Sequence, residues 1–301
     1  MYAKVNGVEI YFDIEGSGLV PEGPTMKEKE VCFVLHGGPG MDHSYFKPHL
    51  SPLADDMQLI YVDHRNTGRS ARVPLETCTI EQMADDVEAL RQYLGLGKVN
   101  VMGNSFGGFW ALTYALRHQD AINKLVLITT SPSYAFYEAA KVEAARKGTP
   151  EQIAAVPDVF EGKITSDDDF TKWWDIMAPL YYHRWDENLR EGFKRGTSNA
   201  ECASYMFRDV IPSYDVRSRL AEITVPTLVL GGRHDWVTPV GESETIAAGI
   251  PGSELVIFEE SGHLPFVEEQ DRFMSVVRRF MGFSDAGTES ATLDDRSPSV
   301  A

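Results

Sequence analysis

Six short, continuous apolar runs constrain the fold of this chain more than any other feature of its sequence. Runs of this kind are typical of strands that are buried on both faces. They are "VCFVL" (31–35), "LIYV" (59–62), "VNVM" (99–102), "LVLI" (125–128), "TLVLG" (227–231) and "ELVIF" (254–258). Helical patterns lie between them. Strands that alternate with helices predict an α/β fold, a mostly parallel sheet flanked by helices.

Two helical patterns and one hairpin support this interpretation. In residues 79–97, apolar side chains recur at helical spacing after a Thr79–Gln82 capping box, and Gly95 provides a stop signal. Residues 266–283 repeat the helical pattern near the end of the chain. At the start of the chain, strand-like residues flank an Asn-Gly pair at 6–7, which predicts a β-hairpin.

The alternation of strands and helices stops in the middle of the chain. Residues 132–222 have a largely helical pattern and lack the β-type runs found on either side. We therefore predict a helical lid at 132–222, inserted between two strands of a core that consists of residues 1–131 and 223–283. Residues 284–301 are polar, acidic and nearly free of large apolar side chains, which predicts a disordered tail.

One serine is surrounded by small residues at a strand-to-helix junction. Residues 103–107, "GNSFG", match the pattern G-x-S-x-G, after a predicted buried strand and at the start of a predicted helix. Glycines are needed there because side chains would clash with the neighbouring strand and helix. The turn lifts the hydroxyl above the sheet edge and aims a helix N-terminus at the reacting oxygen. We predict that Ser105 is a nucleophile; the alternative is a plain turn.

A serine nucleophile needs a base, and the base needs an acid that orients it. Asp235 and His263 follow the last two predicted strands, in the chain order that this architecture uses. We expect both at the carboxyl edge of the sheet. The alternatives are a capping or turn aspartate and a surface histidine. His234 is rejected as the base because it is adjacent to Asp235, and His36 is interpreted as a loop-shaping residue.

The oxyanion of the reaction needs two backbone N–H donors. One should be Phe106, which follows the nucleophile. The other should come from "HGGPG" (36–40), the loop after the first parallel strand, where glycines let the backbone approach the substrate. We predict Gly38 as that donor.

The chain resembles the proline iminopeptidase group of α/β-hydrolases, the serine aminopeptidases, over nearly all of residues 1–283. The resemblance implies a lid-bearing α/β-hydrolase fold, the triad Ser105, Asp235 and His263, and oxyanion donors at Gly38 and Phe106. The motif at 36–40 is the most discriminating. The matching motifs are "HGGPG" (36–40), "DHRNTGRS" (63–70, interpreted as structural), "GNSFGG" (103–108), "GRHDWVTP" (232–239) and "SGH" (261–263).

Two departures from that group concern the substrate. Its members usually have "GGSWG" at the serine, so Phe106 changes one wall of the pocket but keeps the N–H. They bind the substrate's α-amine with acidic side chains, one of which directly follows the aspartate in some relatives; Trp236 stands there in this chain. Glu201 is the candidate for amine binding. Trp174, Tyr182 and Trp236 are candidates for an aromatic pocket, unless the aromatic cluster packs the lid's own core.

Charge and composition limit the partners. The formal net charge of -17 disfavours nucleic acids and anionic membranes, and no apolar run is long enough to span a bilayer. The start of the chain lacks the apolar core of a signal peptide. The three cysteines and eight histidines show no metal-binding spacing, so we expect neither a metal nor an organic cofactor. These features predict a cytoplasmic protein and leave its oligomeric state open.

The sequence thus predicts a serine hydrolase that cleaves a small amide, such as an aminoacyl amide or the N-terminal residue of a short peptide. Two alternatives remain. The same machinery can serve an esterase, a lactonase or an N-acyl amide hydrolase with an apolar acyl substrate. A ligand-binding protein without hydrolytic activity is the other alternative, and the intact Ser-Asp-His pattern argues against it.

Overall fold

The computed structural model describes residues 1–190, 192 and 195–283, so the predicted disordered tail at 284–301 lies outside the described residues. The strands are β1 (Tyr2–Val5), β2 (Val8–Glu15), β3 (Leu19–Glu22), β4 (Thr25–Glu28), β5 (Val31–Leu35), β6 (Gln58–Val62), β7 (Val99–Asn104), β8 (Ile122–Ile128), β9 (Thr227–Gly232) and β10 (Glu254–Phe258). The helices are α1 (Ile80–Tyr93), α2 (Phe106–His118), α3 (Phe136–Lys147), α4 (Pro150–Phe160), α5 (Asp167–Met177), α6 (Ala200–Tyr205), α7 (Val240–Gly249), α8 (Pro265–Glu268) and α9 (Gln270–Met281).

Eight strands form one sheet in the order β1-β2-β6-β5-β7-β8-β9-β10. The six strands from β6 to β10 in this order are parallel, and each contains one of the six predicted apolar runs. β1 and β2 are antiparallel and join the sheet through β6, while β3 and β4 form a separate pair. The predicted α/β fold is confirmed.

The apolar runs at the centre of the sheet are buried on both faces as predicted, but the prediction is wrong for the run in β10, which lies at the sheet edge and is partly exposed. Every residue of β7 and of β9 is buried, because helices cover both faces of the sheet there. The predicted hairpin is also present: Asn6 and Gly7 both have positive φ, 46° and 78°, as the tight turn between β1 and β2 needs. At α1, the Thr79 side chain accepts a hydrogen bond from the Gln82 N–H at 3.1 Å.

The chain between β8 and β9 forms α3 to α6 and several short helical turns, and no strand is assigned to it within the described residues. Its two ends are joined to each other. The Tyr134 N–H donates to the Tyr214 carbonyl and the Val216 N–H donates to the Pro132 carbonyl, both at 2.9 Å. The segment therefore leaves the sheet and returns to it through one narrow neck.

Two further findings concern the cysteines and the helices. Cys32, Cys78 and Cys202 are buried and are not joined in disulfides. In the part of the chain that the structure describes, no helix is both long enough and apolar enough to cross a membrane.

Candidate active site

Ser105 occupies a strained turn between β7 and α2. Its φ of 55° and ψ of −124° lie in a region that non-glycine residues rarely adopt. Two hydrogen bonds hold this backbone: the Ser105 N–H donates to the Ile128 carbonyl at 2.9 Å, and the Thr130 hydroxyl donates to the Ser105 carbonyl at 2.6 Å. The sheet thus presents the serine at the carboxyl ends of its central strands.

Glycines make this turn possible because the backbone is crowded on both sides of it. A Cβ at Gly107 would lie 2.1 Å from the Leu35 carbonyl oxygen, and a Cβ at Gly103 would lie 2.4 Å from the Gly107 carbonyl oxygen. A Cβ at Gly37 would lie 2.6 Å from the Cβ of Ser105. Only glycine fits at these three positions without moving the main chain.

Asp235 and His263 meet at the same edge of the sheet. Asp235 follows β9 and His263 follows β10, and the His263 Nδ1 atom lies 2.8 Å from the Asp235 Oδ2 atom. The carboxylate also accepts hydrogen bonds from the N–H groups of Val237 and Thr238, at 2.8 and 3.2 Å, and from the Thr238 hydroxyl at 2.8 Å. Both side chains are buried. An Nδ1–H that donates to the carboxylate leaves Nε2 of His263 as a proton acceptor.

Ser105 and His263 line one cavity, together with Gly37 and Gly38 of the predicted oxyanion loop. Most of the remaining wall is aromatic, and much of it comes from the segment between β8 and β9. The aromatic residues that this segment contributes include Phe136, Phe160, Phe170, Trp173, Trp174 and Tyr181. None of the described residues that line the cavity carries a carboxylate, ammonium or guanidinium group.

The two predicted oxyanion donors face this cavity. Gly38 has a φ of 68° and lies in the loop after β5, and Phe106 is the first residue of α2. N–H groups of a first helical turn have no partner within the helix, so the Phe106 N–H is available to an anion. The Gly37 N–H instead donates to the Tyr45 hydroxyl at 2.7 Å.

The structure brings only one of the four predicted substrate-binding side chains to the cavity, which is Trp174. Trp236 is fully buried behind the wall, edge-to-face against Tyr181 at 5.5 Å between ring centres. Tyr182 packs against Trp185. Glu201 is exposed near the start of α6 and lines a different groove, so its charge is solvated outside the cavity.

Residues of two other motifs have structural contacts. Arg65 donates through Nε and Nη2 to the buried carboxylate of Asp86, at 2.7 Å each, which agrees with the structural interpretation of "DHRNTGRS". His36 is buried between the Gly37 carbonyl and the Thr67 hydroxyl, at 2.9 and 3.1 Å, as a loop-shaping residue would be. His234 stacks on His183, with 3.7 Å between ring centres.

Within residues 1–190, 192 and 195–283, no group of His, Cys, Asp and Glu side chains is arranged to hold a metal ion.

Glu268 lies under the loop that carries His263, and sequence reasoning did not find it. One carboxylate oxygen accepts from the Gly262 N–H at 2.6 Å, and the other accepts from the N–H groups of His183 and Arg184 at 2.7 and 3.2 Å. Burial raises the pKa of Glu268 and the nearby charge of Asp235 adds to it, while the three N–H donors oppose the rise; the resulting pKa is about 7.

The raised pKa of Glu268 predicts a pH-dependent stability. Between pH 4.5, the ordinary pKa, and about 7, the folded protein holds a proton that the unfolded chain releases. The stabilising contribution is therefore complete at low pH and is lost as the pH rises through about 7. We expect the melting temperature of the wild type to fall relative to that of Glu268→Gln between about pH 5 and 8. Glu244→Gln, at an exposed position of α7, is the control. If the difference in melting temperature between the wild type and Glu268→Gln did not change with pH, the raised pKa of Glu268 would be contradicted.

Comparison with known proteins agrees with this architecture. A family model described as the alpha/beta hydrolase fold matches residues 32–270. Proline iminopeptidase PfmaB of Pestalotiopsis fici is 31% identical over 285 residues, 92% of this chain and 97% of that protein. A proline iminopeptidase of Saccharolobus solfataricus is 29% identical over 300 residues, 93% of this chain and 91% of that protein. Among solved structures, an esterase of Exiguobacterium antarcticum has a TM-score of 0.73 and 25% identity, over 93% of this chain and 98% of that one.

Proposed function

Because this chain belongs to the alpha/beta-hydrolase family, we propose that it is a serine hydrolase that forms an acyl-enzyme on Ser105 and cleaves small amides. The preferred substrates are aminoacyl amides and the N-terminal residue of short peptides. The observation that carries the proposal is the buried hydrogen bond between Asp235 and His263 at the cavity that Ser105 also lines. The two similar proline iminopeptidases support the choice of substrate.

The chemistry follows from the roles of these side chains. As the Ser105 hydroxyl attacks the substrate carbonyl, His263 Nε2 takes its proton, and the N–H groups of Gly38 and Phe106 stabilise the oxyanion. The C–N bond then breaks, and the same proton passes from His263 to the leaving amine. Water, deprotonated by His263, then attacks the acyl-enzyme; as the ester bond breaks, His263 returns that proton to the Ser105 oxygen and the acid product is released. Asp235 keeps the imidazole in the required tautomer and stabilises its protonated form.

We propose that the insertion at 132–222 is a lid that selects the substrate. It supplies most of the aromatic part of the cavity wall, whereas Ser105, Asp235 and His263 all come from the strand ends of the core. An aromatic wall of this kind suits a compact apolar group, such as the side chain or ring of an N-terminal residue.

A second candidate function is an esterase, a lactonase or an N-acyl amide hydrolase for an apolar acyl group. The observation in its favour is the uncharged lining: no carboxylate among the described lining residues is placed to bind the ammonium of a free N-terminus. An esterase is also among the structures that this chain resembles.

A paired substrate panel separates the two candidates. We expect proline and alanine p-nitroanilides to be cleaved with a higher kcat/KM than their N-acetylated twins, because an aminopeptidase reserves its acyl pocket for one residue with a free amine. Release of p-nitroaniline is measured, with Ser105→Ala as the blank. Equal or better cleavage of the acetylated twins would contradict the aminopeptidase function and direct the search to esters, lactones and N-acyl amides.

A further inference from the structure

A continuous series of hydrogen bonds joins the oxyanion loop to the loop that carries His263. The Gly37 N–H donates to the Tyr45 hydroxyl at 2.7 Å, and that hydroxyl donates to Asn104 Oδ1 at 2.7 Å. The Asn104 amide donates to the Thr129 hydroxyl at 2.8 Å, which in turn donates to the His263 carbonyl at 2.8 Å. This series, the Tyr45–Asn104–Thr129 relay, passes directly beside Ser105.

The relay has a single consistent direction. Each hydroxyl accepts one hydrogen bond and donates one, and Asn104 presents its oxygen to Tyr45 and its NH₂ group to Thr129. Burial raises the pKa of Tyr45, so the phenol stays protonated and able to donate. Asn104 and Thr129 are also buried, which makes the loss of any one partner costly.

The backbone of Thr129 indicates that its side chain is needed where it lies. Its φ is 42°, a value that a β-branched residue strongly disfavours, and its N–H is fixed by the Leu230 carbonyl at 2.7 Å. Strained residues of this kind persist where the surrounding structure holds them, and they cluster at functional sites. Ser105 is strained as well, and the relay connects the residue before it, Asn104, to Thr129.

Asn104 occupies a position that the pattern G-x-S-x-G leaves open to any residue. In the common form "GGSWG", the residue before the serine is glycine, which has no side chain to join two loops. Here Asn104 makes two of the four bonds of the relay. Without it, Tyr45 and Thr129 would have no connection through this position.

We propose that Tyr45, Asn104 and Thr129 are positioning residues that fix the positions of the oxyanion loop and the His263 loop relative to Ser105. None of the three exchanges a proton with the substrate. Their role is geometric, since a displacement of about 1 Å in a reacting group can reduce the rate by about 10²-fold. The inference rests on the proposed serine hydrolase function.

The test uses Tyr45→Phe, Thr129→Val and Thr129→Ser. Phenylalanine keeps the ring that stacks on Phe46, and valine keeps the shape and β-branching of threonine. We expect each of these two changes to lower kcat by about 10- to 100-fold while KM changes less than about threefold. Thr129→Ser keeps the hydroxyl and should retain kcat within about threefold of the wild type. Melting temperatures establish that each variant is folded.

A double-mutant cycle distinguishes a relay from two separate local effects. The Tyr45→Phe/Thr129→Val double variant should be no slower than about twice the worse single variant, because either change breaks the same series of bonds. The inference would be overturned if the loss of kcat in the double variant equalled the product of the two single losses. It would also be overturned by a folded Thr129→Val variant with the kcat of the wild type, or by a Thr129→Ser variant as slow as Thr129→Val. If Thr129→Val does not fold, Tyr45→Phe alone must show the fall in kcat.

The rate at which a fluorophosphonate probe acylates Ser105 tests the relay without knowledge of the natural substrate. We expect the same order of rates, with the wild type and Thr129→Ser faster than Tyr45→Phe and Thr129→Val. Equal rates in all four proteins would overturn the relay and leave the proposed hydrolase function intact. A wild type that does not react with the probe would overturn the hydrolase function and the relay with it.

Discussion

Replacement of Ser105 by alanine is expected to lower kcat by about 10⁴-fold or more, because the change removes the atom that forms the acyl-enzyme. The fold should be unaffected. The hydrogen bonds of the Ser105 backbone to Ile128 and Thr130 do not involve the lost hydroxyl. Hydrolysis of the best substrate from the panel measures the effect, and labelling by the fluorophosphonate probe should disappear in parallel.

Ser213→Ala is the matched control for this experiment, since Ser213 is an exposed serine of the insertion. It should keep the activity and the labelling of the wild type, and its melting temperature should change little because the hydrogen bond that is lost, to the Val210 carbonyl, is exposed. If Ser105→Ala retained most of the wild-type kcat, Ser105 would not be the nucleophile, and the strained turn would need another explanation.

Replacement of Asp235 by asparagine is expected to lower kcat by about 10⁴-fold while the protein stays folded. The carboxylate accepts hydrogen bonds from Val237, Thr238 and His263. An amide oxygen can still serve the backbone donors, but then its NH₂ group faces His263 Nδ1. The imidazole then adopts the other tautomer, in which Nε2 carries the proton. A protonated Nε2 cannot accept the proton of Ser105.

Asp120→Asn, at an exposed position, controls for the change of charge. It should leave kcat within about twofold of the wild type, because Asp120 is exposed and is not among the described residues that line the cavity. An Asp235→Asn variant with a kcat within about tenfold of the wild type would show that this carboxylate does not set the tautomer of His263.

The strands and the geometry of the serine turn could be predicted from the sequence because both depend on local patterns. Continuous apolar runs located all six parallel strands, since burial on both faces makes most positions of the central strands apolar. The glycines at 103 and 107 could be explained from the motif alone, because any side chain there meets main-chain atoms within the same turn or the adjacent strand.

The lining of the cavity could not be predicted in the same way, because it depends on how helices of the insertion face the sheet. Trp236 follows Asp235 directly and was therefore expected beside the substrate, yet its ring turns inward and packs against Tyr181 and Phe160. Glu201 is the sequence candidate for amine binding, yet the start of α6 exposes it to solvent. Tyr45 has no motif of its own; only the fold brings it beside Asn104.

The narrow neck of the segment between β8 and β9 has a consequence for how such enzymes acquire different substrate preferences. Since its two ends are joined at Tyr134–Tyr214 and Pro132–Val216, the segment can be exchanged as one unit, provided that the replacement keeps the contacts with the core, such as the Tyr181 carbonyl that accepts from the His263 N–H at 2.7 Å. β8 and β9 pair with each other directly, so the register that positions Ser105 and Asp235 does not depend on what is inserted between them. A transplanted segment that keeps these contacts should therefore carry its own substrate preference with it, and new specificities can arise by recombination at this neck while the reaction itself stays the same.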